Sequence, residues 1–176
     1  VVTAGSYVAV GAPFVDVEEG DEGAAYAFYR LADQGTGTGA SWTRAGGPLI
    51  ADKPAGTTAG PSNPLHTADR LGSSIAFGGS RLVVGIPGLN ETSDSGTAIR
   101  LDVGGIRTFH TDNEPYGFYD TTRGWWAETI ADPRDLPNST PDAASQFGSV
   151  THYDPDSRML FVGDPANGTV TIYVNE

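Results

Sequence analysis

The chain has 176 residues, with 24 glycines, 12 prolines and no cysteine, and its 22 acidic side chains against 10 basic ones give a formal charge of -12. That length suits one domain, and with Lys53 as its single lysine the chain lacks the clustered Lys and Arg of a nucleic-acid phosphate track or an anionic membrane surface. The absence of cysteine removes disulfides, thiolate catalysis and Cys-rich zinc sites, and no run approaches the roughly 18 apolar residues of a membrane span.

In chain order, three segments repeat one layout. The first copy opens with Val1-Val2-Thr3-Ala4, continues with Val8-Ala9-Val10-Gly11-Ala12-Pro13, and after Gly23 has a strand-like run at 24–29 and a tryptophan element at 41–43. The second has Leu71-Gly72-Ser73-Ser74-Ile75-Ala76-Phe77, then Leu82-Val83-Val84-Gly85-Ile86-Pro87, then Gly96 with a run at 97–101, and a tryptophan element at 125–130. The third has Phe147-Gly148-Ser149-Val150-Thr151-His152, then Leu160-Phe161-Val162-Gly163-Asp164-Pro165, then Gly168 with a run at 169–174. The glycine of the Gly-x-Pro motif recurs at offsets of 74 and 78 residues.

Each unit predicts about four short strands, rich in β-branched and aromatic residues and punctuated by turn formers. No stretch carries a long 3.6-residue apolar period, so helix content near zero is expected. Residues 8–10, 82–84 and 160–162 are apolar at consecutive positions, as expected of strands buried on both faces. Gly-x-Pro ends each run, because proline has no N–H for a ladder. Repeating four-stranded sheets with a doubly buried inner strand point to β-propeller blades; a β-sandwich is the alternative, and self-similarity at a near-fixed offset favours the propeller.

These residues resemble the FG-GAP repeat of integrin-α-type β-propellers. Phe147-Gly148 matches the family's Phe-Gly, Leu71-Gly72 is a variant, Gly11-Ala12-Pro13 is a literal Gly-Ala-Pro, and Gly85-Ile86-Pro87 and Gly163-Asp164-Pro165 are variants of it. The resemblance covers nearly the whole chain and implies blades at about 1–50, 66–131 and 145–176. Known propellers have roughly four to eight blades, so we expect three to form part of a larger propeller or to complete their sheets against other chains or blades. The initial Val is expected to reflect a removed leader or a longer polypeptide.

The resemblance also implies calcium, which many family members hold in an Asp- and Asn-rich loop before the Gly-Ala-Pro strand, where oxygen ligands converge on a hard cation. This chain departs from that pattern: the second copy has Gly78-Gly79-Ser80 there, and the third only Asp154 and Asp156. The other candidate calcium ligands, Asp16, Glu18 and Asp21, belong to an acidic run after the first Gly-Ala-Pro, which also reads as a solvated, self-repelling loop. His66, His110 and His152 show no metal-ligand spacing, and His152 reads as a buried core residue. No nucleophile motif is present, so a non-catalytic protein is expected.

Residues 102–124 read as a long aromatic connection, 23 residues where the first copy has 11. Phe109, Tyr116, Phe118, Tyr119 and Trp125 are its candidate partner- or glycan-binding residues, as exposed aromatic faces stack on ligands; a flap packed on its own blade is the competing reading. Trp42 and Trp126 recur in register and are expected to pack between blades. Asn90, Asn138 and Asn167 head Asn-x-Ser/Thr sequons, candidate glycosylation sites if the protein is secreted. The combined expectation is an extracellular or cell-surface propeller module for adhesion or surface assembly. A lectin-like propeller or the accessory domain of a larger hydrolase are the alternatives.

Overall fold

The computed structural model describes residues 1–5, 7–17, 20–31, 41–44, 47–49, 68–78, 81–89, 91–92, 99–100, 102–110, 126–131 and 144–174. Among them the protein is all-β, with thirteen strands and no helix. The first sheet runs β1 (Val2–Ala4), β2 (Tyr7–Ala12), β3 (Ala24–Leu31) and β4 (Ser41–Arg44) in sequence order. β5 (Ile75–Gly78) and β6 (Arg81–Gly85) begin the second sheet. β7 (Glu91–Thr92) and β8 (Ile99–Arg100) then pair only with each other, and β9 (Ile106–His110) and β10 (Trp126–Ala131) complete the second sheet in the order β10-β9-β6-β5. The third sheet contains β11 (Val150–Asp154), β12 (Met159–Asp164) and β13 (Thr169–Val174). All of these pairings are antiparallel.

One strand differs from the sequence expectation. The third strand of the second sheet is β9, which pairs Phe109 with Leu82 and Ile106 with Gly85, whereas part of the run at 97–101 forms β8 in the small ribbon. Gly104, not Gly96, therefore occupies the position of Gly23. The stretch 102–124 is accordingly not one loop, since 106–110 is strand.

The second sheet lies between the other two. On one face Leu82, Val84 and Phe109 pack with Ala9 and Ala25 of the first sheet; on the other, Ala76, Val83 and Ile106 pack with Leu160 and Val162 of the third. Leu82-Val83-Val84 is thus buried on both faces, which explains why this strand does not alternate. In the flanking sheets only one face is closed: Ala9 is buried between half-buried Val8 and Val10, and Phe161 is half-buried between Leu160 and Val162.

The two junctions between sheets repeat the same backbone contacts. Gly23 bridges Leu71 in parallel fashion, and Gly104 bridges Phe147 likewise. The Arg70 N–H donates to the Asp21 carbonyl, and the Gln146 N–H to the Asp102 carbonyl, both at 3.1 Å. A Cβ on Gly11 would overlap the carbonyl oxygen of Gly72, and one on Gly85 that of Gly148. Glycine at these positions lets the next sheet's opening backbone sit directly on the strand exit. Leu71 and Phe147, both fully buried, close each junction as apolar plugs.

Candidate functional site

The third sheet carries an open apolar face. Strand register sets His152, Phe161 and Ile172 in one row, flanked by Val150, Gly163 and Val170 on one side and Asp154, Met159 and Val174 on the other. The opposite face, with Tyr153, Leu160, Val162 and Tyr173, packs toward the second sheet. On the open face Val150 is 59%, Val170 65%, Ile172 53% and Val174 61% exposed. Large apolar residues grouped and exposed in this way make the face a candidate interaction surface. β13 also has no second strand neighbour among the described residues, and an unpaired edge is a template for further pairing.

The first sheet's outward face is apolar as well. Val8, Val10, Tyr26 and Phe28 are half-buried there, and the Arg44 guanidinium lies 4.6 Å above the Tyr26 ring, a cation–π contact. Trp42 shares this face by its pairing with Arg30 and is 50% exposed. It faces away from the second sheet and so takes no part in the junction between the first two sheets; the side chain of Trp126 lies outside the described residues.

The expected aromatic platform is corrected at Phe109. It is 3% exposed and belongs to the core between the first and second sheets, so it presents no ring to a ligand. Tyr116, Phe118, Tyr119 and Trp125 lie outside the described residues. His152, expected in the core, is exposed because strand alternation turns it to the open face, where its ring centroid is 6.1 Å from that of Phe161.

Among the described residues the candidate calcium ligands do not come together. Asp16 Oδ1 accepts the Asp21 N–H at 2.7 Å, closing the acidic loop on itself; Glu18 lies outside the described residues. In the β11–β12 turn, Asp154 accepts the Ser157 hydroxyl at 2.5 Å and the Asp156 N–H at 3.1 Å. These hydrogen bonds, Ser157 first, hold the Asp154 carboxyl below the usual aspartate range, since both favour the charged form. Asp156 itself is exposed. Among the described residues no three His, Cys, Asp or Glu side chains come together.

Of the sequons, Asn90 and Asn138 lie outside the described residues. Asn167 is exposed in the turn between β12 and β13, and its side-chain amide donates to Asp164 Oδ2 at 2.9 Å. Of the open face of the third sheet, the sequence reading singled out only Asp154 and His152, for other reasons, and not its exposed apolar residues Val150, Val170, Ile172 and Val174. Its signal was present in the alternation of Val170, Ile172 and Val174, three apolar residues on one side of a single strand. No protein-family model matches the chain, and no curated protein matches it.

Proposed function

We propose that this chain is a non-catalytic β-propeller module of the FG-GAP type that acts outside the cell, in protein–protein adhesion or surface assembly. The observation that carries the reading is the apolar, solvent-open face of the third sheet beside the open edge of β13. Such a surface is suited to joining another protein, because burying apolar area supplies the drive for association and a strand edge supplies backbone hydrogen bonds. The repeat motifs and the stacking of sheets through Gly-x-Pro exits support the family assignment.

The test is to label intact, unpermeabilised source cells with an antibody to the chain and to cross-link it in place. Surface labelling together with covalent capture of a protein neighbour through the third sheet is expected. A chain found only inside the cell, or one cross-linked to no protein, overturns the reading.

A further inference from the structure

The turn between β12 and β13 holds a pair of residues that the other two copies of the repeat lack. Asp164 stands in the Gly-x-Pro motif where the first copy has Ala12 and the second Ile86. Asn167 precedes Gly168 where Glu22 precedes Gly23 and Val103 precedes Gly104. The two are bonded to each other: the Asn167 side-chain amide donates to Asp164 Oδ2 at 2.9 Å, and the Asn167 backbone N–H donates to Asp164 Oδ1 at 3.4 Å. Asp164 is buried, so a carboxylate with both oxygens on one residue fixes the turn from its inner side. The Gly168 N–H donates to the Pro165 carbonyl at 3.4 Å, long for such a bond. Asn167-Gly168 is also the only Asn-Gly pair in the sequence. An asparagine carboxamide carbon and the next residue's backbone nitrogen can close a succinimide ring, and a following glycine leaves that nitrogen unshielded because it has no Cβ.

We propose that Asn167 is a self-modification site: it converts to aspartate or isoaspartate through a succinimide formed with Gly168, under the restraint of Asp164, and the product loosens the β12–β13 turn. In the first step the Gly168 backbone nitrogen attacks Asn167 Cγ and gives up its proton. The Cγ–Nδ2 bond breaks, and the amide leaves as ammonia with that proton. Water then opens the ring at either carbonyl carbon, leaving one carboxyl group and, by one of the two routes, a backbone that runs through the former side chain. Both hydrogen bonds of the resting turn oppose the step, since the Gly168 N–H must leave Pro165 and Nδ2 must leave Asp164. Asp164 is thus a positioning residue. After conversion a new carboxylate faces that of Asp164 where a 2.9 Å hydrogen bond stood, and attraction becomes repulsion between like charges. Conversion also removes the acceptor amide of the Asn167-Gly168-Thr169 sequon. The inference goes beyond the assembly reading above and does not rest on it.

The test ages the full chain at mildly alkaline pH and follows the peptide spanning Asn167 by chromatography and mass spectrometry, which separate the asparagine, succinimide, aspartate and isoaspartate forms. Asn167 is expected to convert in the folded parent at least about tenfold more slowly than in the same chain unfolded in urea, because ring closure needs an approach of about 3–3.5 Å that the turn withholds. Asp164→Ala is expected to recover most of that difference in the folded chain. Alanine fits the position, as Ala12 does in the first copy, and every variant is aged below its melting transition. Asp164→Asn keeps an acceptor oxygen and is expected to convert more slowly than Asp164→Ala, which separates a held amide from a disturbed fold. For the product, Asn167→Asp is expected to lose more exchange protection at the β12–β13 amides beside the turn than Asn167→Ala, which loses the hydrogen bond without gaining a charge. Three results overturn the inference: no conversion at Asn167 in the folded parent, a rate that Asp164→Ala leaves unchanged or Asp164→Asn raises equally, or equal protection in Asn167→Asp and Asn167→Ala.

Discussion

The Ser74 hydroxyl donates to the Gly148 carbonyl at 2.7 Å, across the junction between the second and third sheets. The same carbonyl occupies the space that a Cβ on Gly85 would need. One backbone oxygen is thus both a hydrogen-bond acceptor and the steric reason for a glycine, and it fixes how closely the two sheets approach.

Gly85→Ala is therefore expected to cost about 3 kcal/mol, at the upper end for overpacking, because the obstruction is backbone and cannot swing aside. Ser74→Ala removes one partly buried hydrogen bond and is expected to cost about 1 kcal/mol. Urea denaturation of the two variants reads the difference. A mild Gly85→Ala phenotype would mean that the junction is looser than its geometry implies.

Burial separates the two faces of the stack. Leu82→Ala empties a fully buried site between the first and second sheets and is expected to cost about 2–5 kcal/mol. Ile172→Ala, on the open face, is expected to change the stability of the isolated chain by no more than about 0.5 kcal/mol. Thermal or chemical unfolding of the undocked protein checks both.

Much of the fold was legible because strand exits are written in residue types with one physical role. Apolar runs ending in Gly-x-Pro located β2, β6 and β12, and after glycine an Ala- and aromatic-rich run located β3 and a β-branched run located β13. The same rule failed at 97–101, where a short apolar run after Gly96 looks locally like the one that follows Gly104. Only the junction with Phe147 selects the latter, and that contact lies 43 residues away in the sequence. Recurrence in register likewise gave no information on which way Trp42 points, since alternation along β4 decides that. Phe109 read as part of an aromatic loop because β9 had not been recognised as a strand. The open face was harder to see, because an apolar strand reads the same whether or not a neighbour covers it.

Backbone strain recurs ahead of β5 and β11. Ala68 and Arg70, and then Ala144 and Gln146, adopt positive φ values of 65°, 57°, 66° and 58°. A left-handed conformation costs an L-residue about 1–2 kcal/mol, and the entropy that glycine adds to the unfolded chain costs about 0.4–1 kcal/mol. Ala144→Gly is therefore expected to stabilise by about 0.5 kcal/mol, whereas Ala144→Val, β-branched at the same φ, is expected to destabilise. Paired denaturation curves check the opposite signs.

The β11–β12 turn has a pH dependence whose sign follows from its hydrogen bonds. Ser157 and the Asp156 N–H lower the Asp154 carboxyl from its ordinary value of 3.8, so the folded turn favours the ionised form. Its contribution is complete above that ordinary value and is lost as pH falls through the lower folded value. Ser157→Ala removes the leading cause, and the Asp154 titration is then expected to move upward toward 3.8, as followed by carbon-detected NMR of the carboxyl. The turn amides of Asp156 and Ser157 should lose exchange protection at a correspondingly higher pH. An Asp154 titration unchanged by the substitution would assign the shift to the backbone N–H groups instead.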